Sequence, residues 1–180
     1  IKFERWDQIM TPGVVAWNPK GDMGLFDQAC AETIALNGLG KLTEAKERLL
    51  DLKAVQVKLA AANKVPDDYF TRMTTLTVNV AEGLIALSEG RQLEGQKALL
   101  IAADADTDYQ YSDPPGQPWP VIRLLGDDYR KRGENKMAIE CYERSLKQEP
   151  NDGFALSGLA LAHHAAGNLE RATYYAGRLE

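Results

Sequence analysis

One short pattern recurs four times along the chain: a helical run, a glycine, four residues, then a small residue that opens another run. It appears as Gly40 to Ala45, Gly90 to Gly95, Gly133 to Ala138 and Gly167 to Ala172. No other feature constrains the fold as tightly. A glycine at the end of a helical run permits the left-handed conformation of a helix C-cap, because it has no Cβ to clash. The small residue five positions later falls early in a second helix, where two helices approach too closely for a large side chain. Each copy therefore describes an antiparallel helix pair. No segment sustains the alternation of a strand, so the predicted fold class is all-α, with about four helical hairpins.

The spacing between copies is uneven. The last glycines, Gly133 and Gly167, stand 34 residues apart, whereas the earlier steps are 50 and 43. Insertions account for the excess. The first is absorbed by a long helix over about 42–62 that ends before Pro66. The second is 104–118, rich in Asp and Pro, which reads as a surface loop. The helices are predicted near 24–38, 41–62, 67–89, 92–103, 119–132, 135–148, 152–166 and 169–178. They group into repeats over about 24–66, 67–104, 119–152 and 153–180, a repeat domain spanning 24–180. Glu4 to Met10 resembles the start of a second helix cut short by Pro12-Gly13. Residues 1–23 are thus expected to be the remnant of a preceding repeat and a linker, with Trp6 packed on the next helix pair.

The third copy carries a known signature. Ile122, Leu125, Gly126 and Tyr129 occupy its first helix, Ala138 and Tyr142 its second, and Pro150 closes it. These positions match W-x2-L-G-x2-Y, A-x3-F and the terminal P of the tetratricopeptide repeat, with Ile122 in place of the Trp. The fourth copy places Leu156, Leu159, Ala160, His163 and Ala172 at equivalent positions. Tyr111-Ser112-Asp113-Pro114-Pro115, followed by Trp119-Pro120-Val121-Ile122-Arg123, resembles a Y-x-E/D-P-P…W-x-P-x-R segment of large bacterial tetratricopeptide proteins. Glu149-Pro150-Asn151-Asp152-Gly153 resembles the N-P-x-N-G turn of the same group. The resemblance covers about Tyr111 to Ala172, more weakly Asp27 to Leu50. It implies a right-handed α-solenoid of the TPR type and a scaffold that binds other molecules.

Composition is that of a globular domain, with 44% apolar and 26% charged residues. The net charge of −5 argues against nucleic acid as the main ligand, which would require a basic face. The longest apolar stretch, Ala98 to Ala103, is far too short for a transmembrane segment. The chain opens on Ile1, so a trimmed N-terminus is expected and the compartment stays open. Cys30 and Cys141 form no C-x-x-C pair and read first as two buried thiols, with a disulfide as the lesser reading and a metal site remote.

Candidates for chemistry are few. Asp104, Asp106 and Asp108 alternate like the start of a calcium loop. The sixth and twelfth places hold Tyr109 and Pro115 instead of Gly and Glu, which excludes an EF-hand. His163 and His164 are neighbours on a helix and point about 100° apart, so they do not chelate one ion. His163 falls at a packing position, and His164 faces the groove. No nucleophile elbow, P-loop or dinucleotide fingerprint is present. The reading is a protein without catalytic residues, metal or cofactor.

In tetratricopeptide arrays the first helix of each pair lines an inner groove. The resemblance places Cys30, Ile34 and Asn37 there, with Val80, Leu84 and Leu87 from the next pair. Arg123, Asp127 and Arg130 follow, then Phe154, Ser157, Leu161 and His164. The Lys/Asn/Arg set with which the family's chaperone-tail binders clamp a carboxylate is incomplete, because its Asn residues are missing. What remains is a mostly apolar groove with one charged section. Such a surface requires a cover. A protein or peptide partner is the favoured one. An apolar, lipid-like small molecule in a helix-lined groove is the alternative, and further repeats of a longer superhelix are a third.

Overall fold

A computed structural model describes residues 5–17, 21–62, 69–108 and 120–179. They form nine helices and no strand: α1 (Trp6–Met10), α2 (Asp22–Gly38), α3 (Leu42–Ala62), α4 (Tyr69–Ser88), α5 (Gln92–Asp108), α6 (Val121–Lys131), α7 (Asn135–Gln148), α8 (Gly153–Ala165) and α9 (Leu169–Gly177). The fold is all-α, with successive helices packed as antiparallel pairs. The described chain separates into two compact units, one ending at residue 105 and one holding residues 106–108 and 120–179.

The four glycines of the repeated pattern end α2, α4, α6 and α8 in the same way. Gly40, Gly90, Gly133 and Gly167 all have φ between +74° and +80°. The next residue donates its N–H back to a carbonyl five positions earlier. Lys41 reaches Leu36, Arg91 reaches Ala86, Glu134 reaches Tyr129 and Asn168 reaches His163, at 2.8–2.9 Å. This is the Schellman closure, which satisfies carbonyls that the helix end would otherwise orphan. The same four residues then accept, at 2.9–3.0 Å, the N–H of the small residue four places on: Ala45, Gly95, Ala138 and Ala172. Those small residues are buried, and the pattern is thereby explained at atomic level.

Predicted helix ends agree with the observed ones to within two residues except at α5. That helix runs on through Asp104, Asp106 and Asp108, where the composition predicted a surface loop over 104–118. Its own Ala102 and Ala103 are buried. The Asp106 Oδ2 also accepts the N–H of Val121 at 3.1 Å, capping an α6 whose N-cap residue, Pro120, has no side-chain acceptor. Burial raises the Asp106 carboxyl above its ordinary value, against the lowering effects of that bond and of Arg144. The rest of the expected loop, 109–118, lies outside the described residues, and so does the Tyr111–Trp119 resemblance segment.

In the first unit Phe26 and Ala29 of α2, Leu52 of α3, and Val78 and Ala81 of α4 form one buried cluster. Leu36, Ala45 and Ile85 form another. Ile9 of α1 packs on Ala31 and Ala35, and the Trp6 indole lies against Gly38. In the second unit Tyr142 of α7 is fully buried among Ala138, Ala155, Leu156, Leu159, Ala162 and Tyr175. Its ring sits where a Cβ on Gly126 or Gly158 would be, so both first helices close on one aromatic side chain.

Candidate functional site

In the first unit the predicted groove residues lie mostly inside. Ile34 and Val80 are 6% and 2% exposed and belong to the core. The reason is the position of α4, which packs on α2 and α3 and meets α5 on a further side. A helix covered on that many sides has little free face. Leu87 lies over Gly95 of α5, at the hairpin contact. Leu84 and Cys30 are half-buried. Desolvation, with a smaller contribution from Asp27, pushes the Cys30 thiol up to about 12, so it stays a thiol at neutral pH. The Cys141 thiol is pushed up to about 11, again mainly by burial.

The second unit gathers the charged section into one connected network. Arg123 is 3% exposed, a correction to its placement as groove surface. Its Nη1 donates to Asp127 Oδ2 at 3.1 Å, and its Nε lies 3.8 Å from Asp152 Oδ2. The Phe154 ring covers the guanidinium at 5.0 Å. Asp152 also caps α8, its Oδ1 accepting the N–H of Phe154 at 3.0 Å. The Tyr142 hydroxyl donates to Asp127 Oδ1 at 2.6 Å and accepts from Arg130 Nε at 3.3 Å. Burial and then Asp127 push the Tyr142 phenol up, outweighing Arg130, so it remains the donor.

A buried cation is tolerable only when its charge is paired and its donors are used. Arg123 pairs its charge with residues 4 and 29 positions away and so ties α6 to the start of α8, although its Nε, 3.8 Å from Asp152, makes no hydrogen bond among the described residues. Asp152 did not figure among the predicted site residues. The signal for it was present, since an Asp directly before an apolar helical run reads as an N-cap.

The outward part of this region is different. On α8, Phe154 and Leu161 are 38% and 53% exposed, Ser157 is half-buried and His164 is exposed. Beside them on α6, Asp127 and Arg130 are half-buried. Chemically this is an apolar strip with a charged flank. It holds no nucleophile paired with a base, and the described residues contain no group of three His, Cys, Asp or Glu poised for a metal.

A separate cleft of about 590 Å³ lies in the first unit between α3, α4 and α5. Leu49, Leu50, Ile85, Ala86 and Ala98 contribute its apolar wall. Ion pairs cross from α3 to α4, with Lys46 at 2.7 Å from Glu89 and Lys53 against Glu82. Both are partly exposed and worth little each.

Residues 126–167 match a family model described as TPR repeat. The matched span begins at the glycine beneath Tyr142 and ends at the left-handed Gly167. This segment is a tetratricopeptide repeat. A crystal structure of MamA protein is similar in fold, with a TM-score of 0.56 and 19% identity over 86% of this chain and 70% of that one. At that identity the likeness bears on the fold alone. None of the curated proteins matches the chain. TPR-repeat proteins generally act as protein-binding scaffolds and are typically non-catalytic. No described helix is long and apolar enough to cross a membrane.

Proposed function

We propose that the chain is a non-catalytic TPR scaffold that takes a protein or peptide partner on the first-helix face of its second unit. The contact residues would be Phe154, Ser157, Leu161 and His164 of α8, with Asp127 and Arg130 of α6. Cys30, Leu84 and Leu87 of the predicted set have less surface to offer, Ile34 and Val80 are core residues of the first unit, and Arg123 supports the face from behind. The observation that carries the reading is the exposure pattern of α8. Its other large apolar residues, Leu156 and Leu159, are buried, while Phe154 and Leu161 stay out in solvent two turns apart. A row of that kind fits an apolar segment laid along it.

An apolar small molecule is less well supported, because seven of the thirteen residues lining the α3–α5 cleft are charged. The discriminating experiment compares partner recovery by Leu161→Asp with recovery by Val57→Asp, a change at a 66% exposed residue of α3. Recovery should be lost in the first variant and kept in the second. The reverse result would move the working surface to the second helices.

A further inference from the structure

We propose, resting on the partner-binding reading above, that this face selects an acidic peptide segment. A carboxylate would sit on Arg130 and a neighbouring apolar side chain between Phe154 and Leu161. Asp127 spends one oxygen on Arg123 and the other on the Tyr142 hydroxyl. Asp152 is divided between Arg123 and the α8 N-terminus. Asp128 and Glu134 both pair with Arg132. Each carboxylate near the end of α6 therefore already has a cationic partner.

Arg130 does not have the converse. Its Nε donates to a neutral phenol, and among the described residues it enters no ion pair. Lys131 follows it, exposed and likewise without a carboxylate among the described residues. A half-buried guanidinium that enters no ion pair among the described residues is suited to receive a carboxylate in bidentate fashion. Partial burial strengthens that pairing relative to one in bulk water.

The geometry places the apolar anchor beside it. α6 and α8 both run antiparallel to α7 and hence parallel to each other, and Arg123 stacks with Phe154. Two turns on, about 10.5 Å along each axis, Arg130 comes level with Leu161. An extended or helical segment with an acidic residue next to a large apolar one satisfies both. A basic segment would meet Arg130 and Lys131 with like charge.

The test uses the full chain and three short synthetic peptides with one Leu-Phe core, flanked by glutamate, glutamine or lysine. Titration should show the glutamate peptide binding at least about tenfold more tightly than the glutamine peptide, with the advantage shrinking as salt rises. Arg130→Gln should erase the preference for glutamate while weak apolar binding persists. Leu161→Asp should remove binding of all three, and circular dichroism melts should match wild type for both variants. Equal binding of the glutamine or lysine peptide, lost in Leu161→Asp, would overturn the acidic selectivity and leave the face as the binding surface. Glutamate-peptide binding that survives both changes would overturn the selectivity and the face together. No binding of any peptide would overturn the acidic-peptide proposal, and the partner-recovery comparison would then decide the wider reading alone.

Discussion

At the scale of single residues, the second unit contrasts a buried cation whose charge is paired with a buried imidazole whose ring nitrogens make no hydrogen bond among the described residues. Arg123 is surrounded by Asp127, Asp152 and the Phe154 ring. His163 is 8% exposed, stacked on Tyr175 at 5.6 Å with the rings 8° from parallel. Neither of its ring nitrogens meets a hydrogen-bond partner among the described residues. Burying polar atoms without partners costs free energy that an apolar ring of similar shape does not incur. His163→Phe should therefore keep the stack on Tyr175 and raise stability by about 1 kcal/mol, read from the urea midpoint. His164→Phe, one position on and exposed, should stay within about 0.5 kcal/mol of wild type. A lower midpoint for His163→Phe would mean that the imidazole nitrogens are bonded to water in solution.

At the scale of elements, the α4–α5 hairpin depends on two glycines that face each other. A Cβ placed on Gly95 would lie 2.8 Å from the carbonyl oxygen of Gly83 and 2.7 Å from Leu87 Cγ. One placed on Gly83 would lie 3.1 Å from the carbonyl oxygen of Gly95. Two effects oppose each other in Gly95→Ala. Helix propensity favours alanine by about 1 kcal/mol. Overpacking costs about 1–3 kcal/mol, and here the obstacle includes backbone, which cannot rotate away. Packing should win. Gly95→Ala is expected to lower stability by about 1 kcal/mol in equilibrium unfolding, although alanine is the better helix former. Equal or greater stability would show that the two helices can separate slightly without loss.

At the scale of the whole chain, the elements were legible in sequence because their ends are written locally. Gly40, Gly90, Gly133 and Gly167 each close a Schellman turn within six residues. The surface assignment was less legible, since the exposure of Ile34, Val80 and Arg123 depends on neighbours distant in sequence. Arg123 in particular is hidden by Asp152 and Phe154 of a later helix. α5 outran its expected end because Asp106 finds a backbone N–H at residue 121. The same locality governs how damage should spread. Among the described residues the buried clusters each lie within one unit: Tyr142 and its neighbours in the second, Phe26, Leu52 and Val78 in the first. In helical repeats stability is carried by each unit and its nearest contacts. Gly126→Leu would drive a branched side chain into the Tyr142 ring and Cys141, costing roughly 1–3 kcal/mol. Hydrogen–deuterium exchange on that variant should accelerate in α6, α7, α8 and α9, while the amides of α2, α3 and α4 keep their wild-type protection. Equal acceleration in both sets would mean that the chain opens as one cooperative body, and the locality argued from the buried clusters would then be wrong.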